Sequence, residues 1–154
     1  MLVLAGSYAH AYEPSINYTL QCMGCHTPDG SGIAERVPEI RSTLLPFAQM
    51  PEGRRFLVQV PGSAQSILSN AELAELLNWM IENLGRAGVQ KAEFQRYTEQ
   101  EVASYRSQTL VQVRATRERL LAVINDSAVN DPVINNRTGT SGPPAKNSVR
   151  GESP

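Results

Sequence analysis

Five consecutive residues, Cys22-Met23-Gly24-Cys25-His26, hold both cysteines and one of the two histidines of this 154-residue chain. C-x-x-C-H is the spacing that attaches c-type haem. Two thiols must reach the two vinyl groups on one edge of a porphyrin and form thioethers. The imidazole of the next residue must then turn under the iron as its proximal ligand. A structural zinc site would need about four Cys or His ligands, and the chain offers only Cys22, Cys25, His10 and His26. A thioredoxin-like redox pair expects a strand before the motif, whereas the residues before Cys22 read as a helix. Haem attachment is the reading that uses all three side chains.

The flanks supply the elements that would hold them. Ser15 follows Glu13-Pro14 as a plausible N-cap, and Ile16 to Gln21 can form a short helix leading into Cys22. After His26 comes the turn-rich Thr27-Pro28-Asp29-Gly30-Ser31-Gly32, then Val37-Pro38-Glu39-Ile40. Further on, Ser69-Asn70-Ala71-Glu72 is a capping box. Leu73, Leu76, Leu77, Met80, Ile81 and Leu84 follow at the spacing of one apolar helix face, with Trp79 at its edge and Gly85 where a C′ residue is expected.

With these pieces in place, residues 13–85 resemble the class I c-type cytochromes of bacteria. The resemblance implies an all-α fold, three to five short helices around one covalent haem. It implies that Cys22 and Cys25 bind the cofactor and that His26 is the proximal metal ligand. It also implies that the carbonyl of Pro38 accepts a hydrogen bond from His26, a contact that fixes the imidazole tautomer; the alternative is a simple turn proline. The last helix is expected to cross the first near Trp79.

The distal ligand is where the chain departs from that family. There, a Met-Pro dipeptide usually precedes the last helix; here the corresponding residues are Val60-Pro61, and valine cannot ligate iron. Met23 lies inside the attachment motif, and Met80 reads as core packing. Met50, before Pro51, is the expected thioether ligand, although it follows His26 by a short span. An open or water-ligated iron and ligation by Met80 are the alternatives. Arg41, Arg54 and Arg55 are candidates to pair with haem propionates, since guanidinium matches carboxylate; otherwise they are ordinary surface arginines.

Composition bounds the rest. No apolar run reaches the ~18 residues of a membrane span, and a net charge of −1 lacks the basic footprint of a nucleic-acid binder. Residues 1–11 resemble the end of a signal peptide, with Ala9-His10-Ala11 as a small-x-small cleavage site, which predicts export to the periplasm. Residues 12–85 are expected to form the haem domain. Residues 86–124 are expected to form a two-helix extension, with Phe94 and Tyr97 as anchors. One helix should start at the Thr98-Glu99-Gln100-Glu101 box, and another should span Leu110 to Ile124. Residues 125–154, rich in Asn, Ser, Gly, Pro and Thr, read as a disordered tail. Four basic and eight acidic residues make 12–85 acidic, while ten basic and seven acidic make 86–154 basic.

The expected function is periplasmic one-electron transfer between redox partner proteins such as a dehydrogenase, an oxidase or a copper protein, with no enzymatic activity of its own. The alternatives are a gas-binding or sensing module with an open distal site, and a haem subunit of a dehydrogenase assembly. With only His10 left as a distal histidine, the chain lacks a means of activating peroxide.

Overall fold

Three prolines and two serine/threonine caps set most of the helix starts. In the computed structural model, which describes residues 12–85, 94–108 and 110–129, Pro14 opens α1 (Pro14–Gln21). The chain bends at Cys22 and resumes as α2 (Met23–His26). Thr27, at φ 64°, ends α2. A helix-free segment follows, holding α2 against α3 (Leu44–Ala48) through the bonds Ile40 N–H to Gly30 O and Gly32 N–H to His26 O. Gly32 has φ +72°, and a Cβ there would lie 2.4 Å from the Val37 carbonyl oxygen, so only glycine fits this crossing.

Pro51 and Pro61 each occupy the first turn of a helix, α4 (Pro51–Gln59) and α5 (Pro61–Ala64). Met50 and Val60 therefore sit at the N-cap positions of two helices. A Cβ on Gly53 would fall 2.4 Å from the Phe47 carbonyl, which is how closely α3 and α4 pass. Phe47 and Phe56 fill that contact edge to face, 5.6 Å apart.

The capping box at Ser69 forms as expected: Ser69 Oγ accepts from Glu72 N–H at 3.2 Å, and Ser69 N–H donates to Glu72 Oε2 at 2.8 Å. It starts α6 (Asn70–Asn83), whose Leu73, Leu76, Leu77, Met80 and Ile81 are all buried. Gly85 follows the C-cap residue Leu84, but without a left-handed φ. The expected crossing of first and last helices is present: Tyr18 of α1 meets Trp79 of α6 with ring centroids 5.8 Å apart. The Tyr18 hydroxyl donates to the Thr27 carbonyl at 2.7 Å, and burial raises its pKa to about 12, helped by the nearby Cys22 and Asp29.

The fold is all-α among the described residues; the one β-type contact is the isolated bridge Ile33–Val37. The described residues of the extension as far as Leu121 belong to the same compact unit as the preceding helices. Tyr97 is buried, and Asn78 of α6 both accepts from its N–H (2.8 Å) and donates to its carbonyl (3.1 Å). Thr98 caps α7 (Glu99–Arg106), but the Glu101 carboxylate does not close a capping box. It turns instead to Arg54 of α4, whose Nε and Nη2 donate to it at 2.7 and 2.6 Å. Arg106, at the end of α7, donates to the carbonyls of Ala64, Ser66 and Leu68 and so ties down the segment before α6.

The last helix, α8, covers Val113–Val129, three residues later at its start and five later at its end than the expected Leu110 to Ile124. No Gly or Pro stands between Asn125 and Val129. The first proline beyond them in the sequence is Pro132. Residues 125–129, expected as tail, are therefore helical, and within this end of α8 Ser127 Oγ donates back to the Val123 carbonyl. The predicted signal remnant 1–11, residues 86–93 and 109 of the extension and the tail from 130 onward lie outside the described residues.

Candidate cofactor site

One helical turn delivers the three chemical groups together. Cys25 N–H and His26 N–H both donate to the Cys22 carbonyl, at 3.1 and 3.0 Å. Spacings of three and four residues within such a turn put Cys25 and His26 on the side of the helix that Cys22 occupies. Both cysteines are free thiols; Cys25 is exposed and Cys22 half-buried. Burial, with a smaller push from Cys25, raises the Cys22 pKa to about 11. A dithiol of the thioredoxin type needs the opposite shift, towards thiolate. Among the described residues no three His, Cys, Asp or Glu converge to hold a metal ion by themselves, so the donor set of a four-ligand zinc site is not assembled there.

Cys22 and His26 open onto a cavity of about 270 Å³. Its wall is mostly apolar: Leu44, Phe47, Phe56, Leu57, Leu73 and Leu76 among others, with Val60 and Pro61. Thus α2, α3, α4 and α6 each contribute one side. The apolar stripe of α6 that the sequence marks as core serves as cavity wall, and Met80 is part of it.

The imidazole of His26 is poised as a metal ligand would be. Its Nδ1 is buried with no hydrogen-bond partner. Desolvation lowers its pKa and the positive charge of Arg117 lowers it further, while the Pro38 carbonyl is close enough to oppose that shift without bonding Nδ1 at good geometry. The net result is a neutral ring near pH 7, the form with a free lone pair. Pro38 also lines the cavity.

The other sequence candidates stand elsewhere. Met50 is half-buried at the head of α4, its side chain beside Gly53, and is not part of the cavity wall. Arg54 is buried, bonded to Glu101 and to the carbonyls of Ala48 and Gln95, with its guanidinium 4.1 Å above the Tyr97 ring. Arg55 lies over the Tyr105 ring, and Arg41 pairs with Asp29 at 3.0 Å. None of these three arginines lines the cavity; Arg36 and Arg117 do. Sequence reading passed over both. Arg117 had a visible signal, a cation among the apolar positions Val113, Leu120, Leu121 and Ile124 of its helix. Arg36, in a loop, had none.

The residues present fit a covalently tethered porphyrin: two thiols and a neutral imidazole on one turn, of which Cys22 and His26 line an apolar cavity with two cations in its wall and Cys25 is exposed beside them. No family model, curated protein or solved structure matches the chain.

Proposed function

We propose that this chain is a mono-haem c-type cytochrome domain that carries single electrons between periplasmic redox partners. The observation that supports this best is the placement of Cys22 and His26 in the wall of one apolar cavity, with Cys25 one turn on and exposed. Bound there, the haem supplies a ferric–ferrous couple. The chain supplies the rest. Cys22 and Cys25 tether one edge of the ring, and the exposed Cys25 brings that edge to the surface, where a partner can approach. Desolvation keeps the His26 imidazole neutral and able to donate its lone pair. The leucine and phenylalanine wall keeps water from the ring, which tunes the potential through the local dielectric.

The test is attachment itself. Expressed in a periplasm with haem-maturation machinery, the protein should keep its chromophore through acid–acetone extraction and denaturing electrophoresis. The Cys22→Ser/Cys25→Ser variant should lose it completely. A chromophore that extracts from the unaltered protein, or none at all, would overturn the proposal.

A second reading, a gas-binding haem with an open distal position, is favoured by one observation: Met50 is outside the cavity wall, and the methionine inside it, Met80, belongs to the packed stripe of α6. Ferrous protein that takes up carbon monoxide within the mixing time supports this second reading. A near-infrared thioether band that disappears in Met50→Ala or in Met80→Ala supports the carrier with both axial positions filled. Whichever holds, Met80→Ala should also cost about 2–4 kcal/mol of stability, as for other buried large-to-small changes, read from denaturant unfolding.

A further inference from the structure

The two cations in the cavity wall have a feature in common. Arg41, Arg54, Arg96 and Arg119 all pair with carboxylates. Among the described residues no carboxylate pairs with Arg36 or Arg117. Arg36 is exposed, and Arg117 is half-buried, its one hydrogen bond running from Nη2 to the Glu39 carbonyl at 3.3 Å. A guanidinium held against an apolar cavity and left without a counter-charge is a receptor for an anionic group. The occupant these walls select is thus a flat apolar body with acidic arms. Arg117 also belongs to α8, in the segment beyond the haem domain that the sequence delimits, and Val113 one turn earlier lines the same cavity.

We propose that Arg117, with Arg36, receives the carboxylate arms of the macrocycle, and that the extension exists to bring Arg117 there. This rests on the haem reading above and goes beyond it, because it assigns the extension a cofactor-binding task. Arg117 acts in two ways. It would anchor the group by charge rather than covalently. Arg117 and His26 line the same cavity, so its positive field would also bear on the group bound there, and a nearby cation favours the ferrous state, which carries one positive charge fewer.

The experiment uses the mature haem protein, after covalent attachment has been confirmed. Redox titration of Arg117→Gln should show the ferrous form disfavoured by about tenfold at fixed electrode potential, equivalent to about 59 mV for a one-electron couple. Arg36→Gln should act in the same direction. Arg117→Lys, which keeps the charge, should recover most of the effect, which a merely structural contact to Glu39 would not do. Arg119→Gln removes an equal charge from the same helix, but from an exposed pair with Glu52 outside the cavity wall, and should leave the potential unchanged. If Arg117→Gln titrates like the unaltered protein, or shifts no more than Arg119→Gln, the assignment is wrong while the haem reading stands. If no variant carries covalent haem and neither does the parent, the haem reading itself has failed.

Discussion

Replacing Arg54 with methionine is expected to destabilise the protein by about 3–5 kcal/mol, because it strands the partner carboxylate of a buried ion pair. The Arg54 side chain is 8% exposed and that of Glu101 17%. The guanidinium makes two bonds to Glu101 and one each to the carbonyls of Ala48 and Gln95, and it stacks on Tyr97. Methionine would keep the packing and lose every one of these bonds. The Tyr97 hydroxyl donates to the Arg54 carbonyl, a main-chain bond that the substitution leaves in place. Denaturant unfolding of Arg54→Met, Glu101→Gln and the double variant would measure the pair directly. The double variant should be less destabilised than the two single losses added together. Additive losses would mean that the pair contributes no coupling and that α7 is held by its other contacts, among them Val102, Arg106 and the bond from Gln59 to the Tyr105 carbonyl.

On the haem reading proposed above, substituting His26 with alanine is expected to change the optical spectrum of the haem-loaded protein outright, since it would take away the proposed nitrogen ligand while leaving both cysteines. The chromophore should stay covalently bound, its Soret and visible bands should shift, and added imidazole should restore them by occupying the space the side chain vacated. Stability should fall as well. A loss of about 2 kcal/mol corresponds to a drop in Tm of about 10 °C for a domain of this size. The imidazole rescue separates ligation from packing: a variant whose spectrum is unaltered, or altered beyond rescue, would remove His26 from the iron.

The Cys22–His26 turn, α1 and α6 were legible in the sequence because each depends on local spacing. Cys22, Cys25 and His26 are brought together by a single turn, whatever the rest of the chain does. Ser69 and Glu72 cap α6 because they are three residues apart, and its leucines share a face for the same reason. The meeting of Tyr18 and Trp79 needed more, and it came from the family pattern that the motif brought with it.

What no local rule could supply were the partners of the long charged side chains and the membership of the cavity wall. Arg54 and Glu101 are 47 positions apart, and Arg106 reaches carbonyls 38 to 42 positions back. A guanidinium that reads as a propionate clamp is equally suited to a carboxylate on another helix, and only the packing of α4 against α7 decides which one it meets. The Met50-Pro51 dipeptide has the local form of a ligand loop, yet proline at the first turn of a helix is just as common, and the close passage of α3 and α4 at Gly53 uses Met50 there. The sequence by itself determined where the donor atoms are and which helices carry the apolar faces, since those are short-range matters of period and capping. Which cations face the cavity and which are spent on the extension was decided by tertiary structure, because charge pairing acts through space and is indifferent to order along the chain.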